Sequence, residues 1–472
     1  MLFKQTALAA MLACAVGAAF AAQPAAVSTD VLVIGAGGAG MAAALEAKDA
    51  GANVLIIEKM TMAGGNTVRA AGGMNAAGTA AQAKLGIADS EDAFFTDTMQ
   101  AAHWQLDPKP VREFAKLSAP AVEWLMKMGA DLSSVAQLPG SSVPRAHRPG
   151  DGTFVGPEVV AVLEKAVSER KIEVRTSTAA RSILTDKNGV VTGAEVSGPD
   201  GAYQIKADAV VLATGGFGAD SEMVASYDPK LQGFGTTNHP GADGDGIRMA
   251  QRVGAQLIDM SNIQTHPTVN TRTGEMVTTL FRTEGAILVN AEGKRFANEL
   301  LDAGHLSAAI LAQPQGKAYM ILDEALAQKM RTTAGGLTKI PFAYSEKSVK
   351  WLARDMKVPQ AALEETLKNW RDDRAAGRDR FGRASMPLPL DHAPFYAIEV
   401  RPAVHHTVGG IRIDSKAAVL NAQGKTIPGL YAAGEVTGGG AGGNLLSGNA
   451  ETDVIVHGRI AGRDAAQYAK TR

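Results

Sequence analysis

The chain has 472 residues, enough for two domains and a large core. With 46% hydrophobic residues and a formal net charge of −1, nothing points to nucleic acid or an anionic membrane surface as a partner. The 52 glycines, against 5% aromatic residues, sit in short clusters beside apolar runs, which reads as tight turns against a ligand rather than low complexity.

Residues 1–22 read as a secretory signal peptide. Lys4 gives a positive start, Thr6 to Phe20 is almost wholly apolar, and Ala19-Phe20-Ala21 offers a small-residue cleavage site. The competing reading is an uncleaved anchor helix, for which the apolar run is short. Removal implies a periplasmic protein with no membrane attachment afterwards. The single cysteine, Cys14, lies inside this segment. The mature chain is therefore expected to lack disulfides, metal clips, haem attachment and iron–sulfur ligation, so electrons must come from elsewhere.

Asp30–Ile34 is expected as a buried strand running into Gly35, Gly37, Gly38, Ala39 and Gly40. A helix follows over Met41–Lys48, ended by Gly51. A second strand, Asn53–Ile57, then leads to Glu58 and Lys59. Strand, glycine turn and helix would seat a pyrophosphate at the helix N-terminus, and Glu58 would accept from ribose hydroxyls. The next loops favour FAD over NAD. Gly64, Gly65, Asn66 and Thr67, then Gly72 and Gly73, supply backbone for close passage against a flat cofactor. Another strand and turn, Ala209–Phe217, carries Ala213, Thr214 and Gly215. A third, Gly429–Gly440, aims Glu435 at the ribityl and pyrophosphate region. No second GxGxxG unit for NAD is present.

These segments resemble the flavoprotein family of fumarate reductases and succinate dehydrogenases, above all its soluble periplasmic flavocytochrome c type. The resemblance runs through IGAGGAGMAAA, EKMTMAGGNT, AAGGMNAAGT, RAHRP, VVLATGGF, GADGDG, HPT, EGKRFANE, YAIEV, HHTVGG and PGLYAAGEVTGG. It implies an α/β fold: a Rossmann-like FAD-binding domain over 28–260 and 405–472, with an inserted α+β capping domain over 261–404. The chain's own pattern agrees, since 345–380 turns charged and helical, with Pro359 opening a helix and Gly377 near its end. The resemblance adds Asp245, His406 and Asn449 to the cofactor contacts. Those family members carry a haem-bearing N-terminal domain; here the FAD strand directly follows the signal segment. No histidine occurs at 60–75, where the succinate dehydrogenase branch makes its covalent flavin link, so dissociable FAD is expected.

Reduced flavin gives a hydride to the β-carbon of an alkene conjugated to a carboxylate, provided the carboxylate is polarised and an acid protonates the α-carbon. The resemblance assigns this work to His266, Thr278, Arg282 and His405. It also exposes departures. The family's proton-donating arginine falls at Ala303, an acidic residue of its proton path at Thr279, and a carboxylate-gripping arginine at Leu445. Losing charged partners of a carboxylate argues against fumarate as substrate. His305, Asp302, His405 or a water remain open as proton donors, and Arg272 as a replacement grip. The expected function is reduction of an activated C=C bond in a small unsaturated organic acid, with electrons from a separate cytochrome c or other donor. The alternatives are a desaturating dehydrogenase or oxidase of the ketosteroid or tricarballylate dehydrogenase kind, and a non-catalytic flavin-binding protein. No metal site is expected.

Overall fold

The computed structural model describes residues 27–333, 342–439 and 446–472. The expected signal segment, Cys14 and Leu445 lie outside them. Among the described residues no helix is long and apolar enough to cross a membrane.

Val31–Ile34 is buried on both faces, as a central parallel strand requires. It pairs in parallel with Val54–Ile57 on one side and with Gly201–Leu212 on the other. The sheet extends outward through Thr426–Ala432 on the far side of Gly201–Leu212 and Glu173–Arg175 beyond Val54–Ile57. Two antiparallel strands, Ala179–Thr185 and Val191–Gly198, hang from the Gly201–Leu212 strand.

The helix Gly38–Asp49 follows the first glycine turn, and nearly all of it is buried. It carries few large side chains because a second helix, Asn449–Ala469, lies directly on it. At Gly462 an added Cβ would stand 2.0 Å from the Ala43 carbonyl oxygen. The alanine–glycine stripe is thus the contact surface of two closely approaching helices, and it ties the C-terminus to the first turn.

A second core forms around Phe281, Leu288, Met320, Trp370 and Ile398. It packs beneath an antiparallel sheet ordered Ile263–Asn270, Phe395–Thr407, Ala318–Asp323, Ile287–Val289, with Tyr344–Glu346 also on Phe395–Thr407. Helices Val349–Met356 and Gln360–Ala375 cover it, with Pro359 at the N-cap of the latter and Gly377 at positive φ just beyond its end.

The two chain crossings between the cores are one ribbon. Gln264 pairs with His406, Thr265 with Val404 and His266 with Ala403. Register shifts on either side of Thr265–His266 kink this ribbon. It ends where the two cores face one another.

Candidate active site

Along the C-terminal edge of the parallel sheet runs a slot lined by Gly35, Gly37, Gly38, Ala39, Glu58, Lys59, Gly65, Asn66, Thr67, Ala213, Thr214, Gly215, Asp245 and Glu435. Gly35 has φ +108°, and a Cβ there would lie 2.3 Å from the Ala213 carbonyl oxygen, so only glycine brings the two strand ends this close. Glu58 accepts from the amides of Ala36 and Met60, each at 2.9 Å, which fixes its carboxylate at the slot wall. Lys59 is paired with Asp243 at 2.5 Å and Asp245 at 3.0 Å. Thr67 accepts from the Gly38 amide at 3.1 Å.

These residues fit a dinucleotide. The helix Gly38–Asp49 opens on the slot with no side-chain cap from Gly37, the arrangement that receives a phosphate. Thr214 lines the slot, and its hydroxyl oxygen, packed against Gly246, is buried without a hydrogen-bond partner among the described residues.

Six residues expected at the cofactor are placed otherwise. Gly72 and His406 line the adjoining cavity described below. Gly40, Gly64, Gly73 and Asn449 line neither space. A Cβ at Gly40 would stand 1.9 Å from the Gly35 carbonyl oxygen, so this glycine seats the helix on the strand. Gly64 donates to the Ala36 carbonyl at 2.9 Å and shapes the turn from behind. Gly73 packs on Ala146 and His147. Asn449 is fully buried, accepting from Asn75 at 2.8 Å and donating to Thr98 at 3.2 Å, so it braces the helix start.

The slot opens into a cavity of about 820 Å³ between the two cores, and Glu435 lines both. Its carboxylate accepts from Asn66 and the Thr407 amide, both at 3.0 Å, and lies 3.2 Å from His406 Nδ1. The kinked ribbon sets His266 and His405 edge to face, with ring centroids 5.3 Å apart, although 138 residues separate them in the chain. Burial drives both rings toward the neutral form. His405 falls to about 4, with His406 adding to the effect and Glu435 opposing it. His266 falls well below its ordinary range, with His405 and Arg282 contributing. The Thr237 hydroxyl lies 2.7 Å from His405 Nδ1 and orients that ring.

Thr278 and Arg282 enter from the short helix Thr279–Thr283. The Thr278 oxygen accepts from the Leu280 amide at 3.1 Å, so its proton is free to be donated into the cavity. Arg282 is buried, and burial lowers it to about 10, against the pull of Glu299. It donates to the Glu299 carbonyl and to the Thr279 hydroxyl, both at 3.0 Å, while its Nε has no partner among the described residues. Behind it, Arg295 binds Glu299 at 2.8 Å and Asp379 at 2.6 Å, and Arg383 binds Glu299 at 3.0 Å and the Arg282 carbonyl. Three guanidinium groups meet two carboxylates, which leaves one positive charge toward the cavity.

Ala303 and Thr279 line this cavity without charge. Asp302 also lines it, but His305 does not: its ring is largely exposed and bonded to Asp302 at 2.5 Å. Arg272 points outward and donates to the Ala343 carbonyl at 3.3 Å, which removes it as a carboxylate grip. Four lining cations or carboxyls had no sequence assignment: Arg69, Arg148, Glu284 and Glu451. Arg148 was visible only within RAHRP, and burial lowers its pKa against the opposing Glu284.

The family model described as "FAD binding domain" matches residues 30–450. The chain is 46% identical to a "Fumarate reductase (cytochrome)" of Shewanella frigidimarina over 445 residues, covering 94% of this chain and 78% of that protein. It is 34% identical to a "Urocanate reductase" of Eggerthella lenta, covering 93% of this chain and 75% of that one. Its structure superposes on the open conformation of a flavocytochrome c3 fumarate reductase with a TM-score of 0.84 at 41% identity, over 94% of this chain and 79% of that one. The chain belongs to the fumarate reductase and succinate dehydrogenase flavoprotein family: it is an FAD-dependent oxidoreductase acting on CH–CH bonds.

Proposed function

We propose that this protein is a periplasmic reductase of an activated C=C bond in an unsaturated organic acid other than fumarate, using dissociable FAD and electrons from a separate redox protein. One observation carries the reading. A neutral histidine pair, a free threonine hydroxyl and a buried arginine converge on a cavity that opens onto the cofactor slot at Glu435, while Ala303 and Thr279 add no charge to its lining.

Bound FAD, once reduced, would supply the hydride. The chain's residues supply the rest. Neutral His266 and His405 can donate hydrogen bonds to a carboxylate without the cost of burying two further charges. Arg282, still charged at neutral pH, stabilises the negative charge that grows on that carboxylate as hydride adds. Slot and cap together exclude water from the reacting carbon. Leu300, Leu301 and Leu446 supply an apolar wall for a bulkier group than a second carboxylate.

The test is anaerobic reduction of the purified holoprotein with a viologen donor, followed by flavin reoxidation with a panel of unsaturated acids. Reoxidation by mono-acids, with fumarate slow, is expected. Rapid oxygen consumption with saturated acids and no alkene reduction would replace this reading with a desaturating oxidase.

A further inference from the structure

One carboxyl faces the reaction cavity with no role assigned to it so far. Glu451 is the third residue of the helix Asn449–Ala469, is half-buried, and lines the cavity beside Ser447, Gly448 and Ala450. Among the described residues it forms no salt bridge and no hydrogen bond to another side chain; its carboxyl accepts only from its own backbone amide. Burial raises this carboxyl to about 7, and no charged group offsets that shift. Arg282 and Glu451 stand on different walls, Arg282 on the cap and Glu451 on the FAD-binding side.

In a water-filled cavity the carboxyl is hydrated. A substrate that fills the space strips that water, and then either offers a hydrogen-bond donor or leaves a buried acceptor unmet. With a substrate carboxylate held by Arg282 and the histidines on the cap side, Glu451 is left on the facing helix to receive another part of the molecule. We propose that Glu451 is a specificity determinant that accepts a hydrogen bond from a hydroxyl or ammonium group at the end of the substrate remote from its carboxylate, and turns away a second carboxylate. This rests on the reductase reading above and deepens it: the preferred substrate is an unsaturated mono-acid bearing a distal donor.

The experiment titrates oxidised holoprotein, at mildly alkaline pH where the Glu451 carboxyl is ionised, with cinnamate, 4-hydroxycinnamate, 4-(aminomethyl)cinnamate and 4-carboxycinnamate, following the visible flavin band. The hydroxy and aminomethyl acids are expected to bind about tenfold or more tighter than cinnamate, and the carboxy acid weakest. E451L should abolish these differences. E451Q, which keeps the side chain's shape, should retain the preference for hydroxyl and lose that for ammonium. Flavin content of each variant reports folding, and E451Q decides alone if E451L loses its flavin. An unchanged ranking in E451Q and E451L, or no ranking in the parent protein, overturns the proposal while leaving the reductase reading intact. A fall in cinnamate turnover in E451Q at unchanged cinnamate affinity also overturns it, because it assigns Glu451 to proton transfer. Failure of all four acids to perturb the flavin, while other unsaturated acids reoxidise its reduced form, overturns the proposal alone; failure of every unsaturated acid to reoxidise it overturns the reductase reading.

Discussion

Arg282 shows how much of a side chain's chemistry is set by what holds it. Its guanidinium spends two donors on the Glu299 carbonyl and the Thr279 hydroxyl and leaves Nε buried without a partner among the described residues. Arg282→Gln is expected to lower turnover by about a hundredfold or more with retained flavin, and Arg282→Lys to recover only part, since a point charge cannot keep both anchors. Steady-state rates beside flavin content check this. His405 makes a prediction about pH. Its ring stays neutral in the fold down to about 4, whereas in the unfolded chain it charges near 6.5. Between those values the unfolded state binds the extra proton, so stability falls as pH drops from 6.5 toward 4 and this contribution levels off below. Thermal melts of the holoprotein across that window should show the slope, and His405→Asn should make it shallower; an equal slope in the variant would remove His405 as a source. His266 acts in the same direction.

Elements carry constraints that no single side chain explains. The two helices Gly38–Asp49 and Asn449–Ala469 approach through Gly458 and Gly462, where a Cβ would meet the carbonyl oxygens of Ala39 and Ala43 at 2.5 and 2.0 Å. Gly462→Ala is expected to force the helices apart and cost about 1–3 kcal/mol, read as a lowered melting temperature. Because the first of these helices opens on the cofactor slot and the second begins at the cavity, the same variant should hold FAD more weakly. The ribbon of Ile263–Asn270 on Phe395–Thr407 has a different task. Antiparallel pairing with a register shift puts His266 and His405 on one side of the same two strands, which is how residues far apart in the chain form one edge-to-face pair.

At the scale of the molecule, the cofactor slot is walled by segments from Ile34 to Val454, and the cavity by both cores. Removing FAD is therefore expected to lower the melting temperature of the whole chain, and added FAD to restore it in proportion to the logarithm of its concentration, about 2.7 kcal/mol at a hundred times the dissociation constant. Calorimetry with graded FAD checks this; a melting temperature indifferent to FAD would contradict it. Much of the architecture was legible beforehand because it is local. An apolar strand, a glycine turn, a small-residue helix and a second strand ending in Glu58 obey short-range rules of backbone sterics and burial, and the Pro359 and Gly377 boundaries likewise. That Ala303 and Thr279 bring no charge to the cavity was legible for the same reason, since an uncharged side chain is uncharged wherever the chain goes. Asn449, Arg272, His305 and Glu451 were not. A polar side chain reads alike in a sequence whether it braces a helix, caps a turn, meets solvent or faces a ligand, and only the packing of distant segments separates these outcomes. Here that packing turned Asn449 inward to Asn75 and Thr98, Arg272 outward to Ala343, and left the carboxyl of Glu451 at the cavity with, among the described residues, only its own amide to bind.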